Sequence, residues 1–360
     1  MNIGLLGTGT VGGGVIQMAG QTADLKIVKA LTLDKPQGIL TNDFSDIASD
    51  GSIDTVAEAM GGISPAYEYA RASIEAGRNF ITSNKLLVSA RGAELDALAR
   101  KKGVAFLFGA ACGGGIPYLE SLSVARESYP LDRVGGILNG TTNFMLFNME
   151  SRGLSYEQAL AMAQELGYAE RDPSSDVLGL DTARKIVLAI AVGFGFDVRP
   201  QDVPTFGIST VTPEDIKAAR STGRALKLCA RASFSEGVLE ARVNPVWCAS
   251  RNPEGAVSRN FNMAWFDGPQ CGRIALYGQG AGRFPTASNM IRDLRSIQAG
   301  KLHMLPETLK QAQPDQNGRS RLWYVRTDSG KQEIRATVGE IHRRFATVPG
   351  AFFAEIEEEE

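Results

Sequence analysis

Over the first third of the chain, short apolar runs alternate with longer amphipathic stretches. The runs Asn2–Leu6, Lys26–Leu33, Thr55–Ala59, Asn79–Thr82 and Val104–Phe108 are bounded by turn-forming residues and are predicted strands. Between the third and fourth, Ser64 is placed to cap a helix, Pro65 to fill its first position and Gly77 to end it. A second helix is expected over about residues 90–102, with Leu95 and Leu98 on one face and Gly103 after it. Strands alternating with helices build a parallel sheet covered by helices, the plan of a doubly wound nucleotide-binding domain.

Beyond residue 130 the pattern changes. Arg133–Leu138 reads as a strand followed by the polar turn Asn139–Asn143. Ser155-Tyr156-Glu157-Gln158 is a capping box, opening a helix that Gly167 closes. A longer helix is predicted over Asp176–Val192, with Leu180, Ala183, Val187 and Ile190 along its apolar stripe. Residues 200–275 mix strands and helices in an order the pattern does not give. A last helix, Thr286–Gln298, follows a glycine turn. From residue 301 onward the chain is polar and ends in Glu357–Glu360, which reads as a solvated tail. The expected class is α/β: a Rossmann-type doubly wound domain over 1–130, completed by a returning helix at about 286–300. An α+β domain over 131–285 and the tail over 301–360 follow.

At 360 residues, with 43% hydrophobic and 22% charged content, the chain is long enough for two domains with a sizeable core. Its formal net charge is -2 with no basic patch, which argues against a nucleic-acid partner. Cys112, Cys229, Cys248 and Cys271 lie far apart without metal-ligand spacing and read as reduced thiols. No secretory signal opens the chain, and the longest apolar stretch, Ile186–Phe196, is too short to span a bilayer. A cytoplasmic enzyme with no membrane partner is therefore expected.

The sharpest local signal is Gly7-Thr8-Gly9-Thr10-Val11-Gly12, between the first strand and a helix. Glycine there permits the tight turn, the close approach of backbone to a pyrophosphate, and close packing of helix on sheet. At the end of the second strand, Asp34 suits a free ribose 2′-hydroxyl and Lys35 a 2′-phosphate. The two cues oppose each other and leave NAD and NADP both open.

The two histidines, His303 and His342, fall in the polar tail and are expected on the surface, so proton transfer passes to other groups. Lys85 follows a strand, at the end where doubly wound sheets bind ligands. Lys185 lies four residues after Asp181, on the same helix face; the pair reads either as a surface ion pair or as a reactive one. Glu170, Asp172 and Asp176, just upstream, read either as a solvated acidic loop or as a site for an ammonium group.

The run Gly167-Tyr168-Ala169-Glu170-Arg171-Asp172-Pro173, with Asp176 and Gly179-Leu180-Asp181 to Lys185, resembles the substrate segment of homoserine dehydrogenases. Segments in the same order resemble the same family: Gly7–Gly12, Glu58–Gly62 with Pro65, Ser83-Asn84-Lys85, Gly113–Pro117, Asn139–Asn143, and Gly278–Gly282 with Pro285–Ala287. The resemblance covers about residues 1–300. It implies interconversion of L-homoserine and L-aspartate 4-semialdehyde on the route to threonine and methionine, by a homodimer formed through the sheet of the second domain. It also implies that Lys185 and Lys85 handle the hydroxyl proton and that Asp181 orients Lys185 or contacts the substrate hydroxyl. Glu170, Asp176, Gly167 and Thr141 would bind substrate, and Gly61, Gly62, Asn84, Lys85 and Gly280 would join Gly7–Gly12 around the cofactor. A sodium ion is implied on the backbone carbonyls of Gly109, Cys112, Gly114 and Ile116, a ligand set suited to a hard cation.

Departures from the family's pattern stand beside these expectations. The family usually carries glutamate where Gly109 stands and valine where Cys112 stands. Many members have a basic residue near Thr32, and Ser175 replaces an aspartate or threonine. The C-terminal 60 residues are too short for a full regulatory ACT domain. Ser320–Thr327 is strand-like and reads as a remnant of one, so threonine feedback of the usual kind is not expected.

Overall fold

The computed structural model describes residues 1–358. The chain divides into two units, one comprising Met1–Ser128, Ala191–Asp197 and Gln279–Lys310, the other Tyr129–Ile190, Val198–Gly278 and Gln311–Glu360.

Six parallel strands form the sheet of the first unit: β1 (Asn2–Leu6), β2 (Lys26–Leu31), β3 (Leu40–Thr41), β4 (Thr55–Glu58), β5 (Asn79–Thr82) and β6 (Phe106–Leu107). Their order is β3-β2-β1-β4-β5-β6, so the winding reverses between β1 and β4. Crossovers of opposite sense leave a crevice at the carboxyl ends there, where such sheets bind ligands. Ile3, Leu5, Val56, Phe80, Ile81 and Phe106 are fully buried, the apolar filling that strands covered on both faces require.

Helix α1 (Thr10–Ala19) can approach the returning helix Arg283–Gln298 closely because a Cβ at Gly14 would lie only 2.9 Å from that of Ala287. Helix α2 (Ala66–Glu75) starts after a cis Ser64–Pro65 peptide with Pro65 at its N-cap, and the expected Ser64 cap does not form. Helix α3 (Lys85–Lys102) begins five residues before its apolar periodicity becomes clear. Asn84 sets that start, its Oδ1 accepting from Leu87 N at 3.1 Å, and Gly103 ends the helix at φ 69°.

The second unit is built on eight strands: β7 (Arg133–Ile137), β8 (Arg224–Ser235), β9 (Val238–Ala249), β10 (Phe261–Gly268), β11 (Gly272–Gln279), β12 (Arg321–Thr327), β13 (Gly330–Ala336) and β14 (Phe352–Ile356). They run in the order β11-β10-β7-β8-β9-β14-β12-β13. The stretch whose order the sequence pattern did not give, residues 200–275, holds a helix over Pro213–Ser221 and, at its centre, the long β8–β9 hairpin. The hairpin turns at Glu236 and Gly237, both at positive φ (52° and 80°), as a two-residue hairpin requires. Most of β9 is buried on both faces, so the alternation that marks a strand is erased.

Helix α4 (Tyr118–Ser128) belongs to the first unit, and α5 (Gly140–Arg152), α6 (Tyr156–Glu165) and α7 (Leu180–Phe194) follow it along the chain. The polar segment Asn139–Asn143 is the cap and first turn of α5 rather than an open turn. Helix α7 begins at Leu180, later than its stripe suggests. The separate turn Ser174–Val177 precedes it, and Gly179 at φ 82° breaks the two apart.

The segment after residue 301 is not a polar tail. Met304 is fully buried in the first unit, where Phe106 N donates to Leu302 O at 2.8 Å. In the second unit, β12, β13, helix α8 (Val338–Phe345) and β14 extend the sheet around fully buried Trp323, Val325, Ile341 and Phe353. The charges that suggested solvent are paired internally. Arg242 holds Glu355 at 2.7 and 2.9 Å, and Arg326 Nε and Tyr324 OH meet Asp215 Oδ1 at 2.8 and 2.9 Å. Glu357, also read as solvated, accepts from Ala249 N at 2.9 Å and Asn252 Nδ2 at 2.8 Å; Glu359 and Glu360 lie outside the described residues. Among the described residues, no helix is long and apolar enough to cross a membrane.

Both histidines are half-buried rather than exposed. His303 Nδ1 lies 2.9 Å from Asp96 Oδ1 in the first unit. His342 is packed edge-on to Phe353 in α8, its Nε2 makes no hydrogen bond, and burial lowers its pKa from 6.5 to about 4. The unfolded chain binds this proton near pH 6.5, but the folded chain resists it until near pH 4. Stability from this group is therefore complete above pH 6.5 and declines as pH falls towards 4, by about 3 kcal/mol. In denaturant titrations, His342→Phe should remove that portion of the acid-side loss; parallel wild-type and variant profiles would contradict the assignment.

Candidate active site

The first cluster lies at the carboxyl ends of β2, β1, β4 and β5. Gly7, at φ 94°, leaves β1 with its N–H on Leu31 O at 3.0 Å. A Cβ at Gly12 would stand 1.9 Å from Gly7 O, so no side chain fits there. Gly9, by contrast, faces open space. The turn thus presents bare backbone and the N-terminus of α1, which carries Thr10 and Val11, the arrangement that receives a pyrophosphate. Thr8 and Thr32 join their hydroxyls at 2.7 Å, tying the turn to the end of β2. Asp34 and Lys35 are exposed just beyond, and the Asp34 backbone is held by Thr32 and Asn42.

Glu58, at the end of β4, organises the next turn and was not singled out as a site residue. Fully buried, it accepts from Met60 N at 2.6 Å and Gly61 N at 3.2 Å, with Thr82 on its other oxygen. Burial pushes its carboxyl up, against those hydrogen bonds, which favour the charged form. Gly61 and Gly62 both have positive φ, and Asn84 Nδ2 donates to Gly62 O at 2.6 Å, joining the turns after β4 and β5. Lys85 opens α3 beside them, half-buried. Gly280 is buried with its backbone against Gly114: a Cβ at Gly114 would come within 2.4 Å of it.

The second cluster belongs to the second unit, and Asn139 is its hub. As the cap of α5 its Oδ1 accepts from Thr142 N at 2.9 Å, which turns its Nδ2 towards two carboxylates. Those are Asp176 Oδ1 at 2.7 Å and Asp181 Oδ2 at 2.9 Å. Lys185 Nζ meets the same Asp181 oxygen at 2.7 Å and Leu138 O at 2.7 Å, while only 8% exposed. The Asp181–Lys185 pair is therefore not a surface ion pair. Thr141 Oγ1 donates to Tyr168 O, fixing the loop that leaves Gly167 (φ 74°). Glu170 lies on that loop, exposed; Gln164 holds its carbonyl at 3.0 Å, and its carboxylate does not join the cluster. Asn139 was missed as a site residue, although an asparagine before Gly-Thr-Thr is a helix-cap signal.

A dinucleotide cradle in one unit and a buried lysine among carboxylates in the other suit hydride chemistry with an assisted proton transfer. The sequence model of the homoserine dehydrogenase family matches residues 117–294. The homoserine dehydrogenase of Bacillus subtilis is 35% identical over 314 residues, 82% of this chain and 72% of that protein. That of Synechocystis is 37% identical over 82% of this chain and 73% of its own length. The crystal structure of a homoserine dehydrogenase from Thiobacillus denitrificans superimposes with a TM-score of 0.87 at 29% identity, covering 99% of this chain and 98% of that one.

The class these findings define is the nicotinamide-dependent oxidoreductases that act on a CH–OH group. Within that class, the chain belongs to the homoserine dehydrogenase family.

Because Asn139 both caps α5 and bridges two carboxylates, Asn139→Ala should cost about 1–2 kcal/mol in thermal unfolding. It should also lower turnover. Lost stability with unchanged kcat would make Asn139 a cap and nothing more.

Proposed function

We propose that the chain interconverts L-homoserine and L-aspartate 4-semialdehyde with NAD or NADP, on the route to threonine and methionine. The buried Lys185–Asp181 pair, sharing the Asn139 amide with Asp176, is the observation that carries this reading. When bound, the nicotinamide exchanges a hydride with the carbon that bears the substrate oxygen. Lys185 handles the proton of that oxygen. Asp181 and Leu138 O both accept from its ammonium, which holds it in one place beside the carboxylates as the proton donor for aldehyde reduction. In the reverse direction the proton returns to Lys185, directly or through water. Lys85 at the start of α3 takes the second lysine role, on the cofactor side. Asp176 is assigned to the substrate ammonium, with Glu170, which stands outside the cluster on the exposed loop, as the second carboxylate. Family membership supports reading the working form as a cytoplasmic homodimer built through the eight-stranded sheet.

Lys185→Ala should lower kcat by about a hundredfold or more, while cofactor affinity measured by nucleotide fluorescence is retained. Near-normal kcat would return the pair to a structural role. In initial-rate measurements at the reduced-nicotinamide band, Lys35→Ala should raise KM for NADP by roughly tenfold and leave NAD unchanged. Equal effects on the two cofactors would remove Lys35 from the choice.

A further inference from the structure

The loop Gly109–Ile116 carries the four carbonyls expected to hold a sodium ion, and the side chain of Asn289 engages two of them. Asn289 lies on the returning helix and is 2% exposed. Its Nδ2 donates to Gly114 O and, at 2.9 Å, to Ile116 O. Its Oδ1 accepts from Arg292 one turn further on, whose guanidinium also lies 3.6 Å from Glu120. That contact removes the ambiguity of an amide: with the oxygen tied to a guanidinium, only the N–H end can face the carbonyls.

A carbonyl cation site needs lone pairs converging on a position free for the ion. Here the Gly114 and Ile116 oxygens are aimed at two N–H donors, whose partial positive charge supplies what the ion would. Two glycines keep the loop in this form. A Cβ at Gly109 would stand 2.7 Å from Asp293 Oδ1, while Gly109 N donates to Asp293 Oδ2 at 2.9 Å. A side chain at this position would press on the Asp293 carboxylate and on Met304. Gly114, at φ 56°, lies against Gly280, which fixes the direction of its carbonyl. The residues present do not fit a resident sodium ion.

We propose that the Asn289 carboxamide replaces the monovalent cation in this protein, bracing the loop with a covalently attached pair of donors. Folding and catalysis then need no sodium. The test reads thermal unfolding and sodium-23 line width, neither of which involves turnover, so its outcome is separate from that of the proposed reaction. At equal ionic strength, wild type should unfold at the same temperature in sodium chloride and tetramethylammonium chloride, and should leave the sodium-23 line unbroadened. Asn289→Ala vacates the position, and Asn289→Asp turns donors into an acceptor facing carbonyl oxygens. Both should gain a saturable rise in unfolding temperature with sodium, roughly 3 °C or more. Saturable stabilisation of wild type by sodium, or variants indifferent to it, would overturn the substitution. Should the variants fail to fold in either salt, the wild-type line width decides: unbroadened supports the proposal and broadened overturns it.

Discussion

A lysine ammonium that is 8% exposed is tolerated only where its charge and its donors are met, and much of the second unit serves that demand. Lys185 draws on a carboxylate from its own helix and on the carbonyl at the end of β7. Asp181 needs a donor besides the lysine, and the Asn139 amide supplies it because its oxygen is already committed to capping α5. One residue thus sets where a helix begins and where two carboxylates stand. Loss of any member leaves a buried charge without its partner, so the arrangement is held as a whole.

The first unit solves a different problem, bringing backbone rather than charge to a ligand. Gly12 against Gly7 and Gly14 against Ala287 are contacts that a single methyl group would prevent. Glu58 carries the same principle to the neighbouring turn, where a buried carboxylate gathers N–H groups that would otherwise point nowhere.

Much of this was legible in the residues. The parallel sheet was readable because its strands are short apolar runs separated by helices, and the glycine turn because Gly7 and Gly12 leave no room for a side chain. What escaped did so for physical reasons. Strand β9 hides because both of its faces are buried. The C-terminal segment looked solvated because Arg242, Arg326, Glu355 and Glu357 find their partners inside the sheet or against Asp215 and Asn252, across more than a hundred positions of chain. The roles of Asn139 and Asn289 depend on partners 37 and about 175 residues away, which no local pattern reports. Gly109 was the visible half of such a case: an absent side chain in the sequence, explained by Asp293 occupying its space.

The position of β14 sets a schedule for synthesis. It lies between β9 and β12, yet the 102 residues 250–351 separate its start from the end of β9. At ~5–20 residues per second, the ribosome takes roughly 5–20 s to cover that interval. Throughout it, the flank of β9 that will receive β14 is an apolar strand edge with no neighbour, the kind of surface on which nascent chains pair wrongly with one another. The interval after the long hairpin emerges and before its last strand arrives is therefore the stage of synthesis at which this sheet is most open to mispairing.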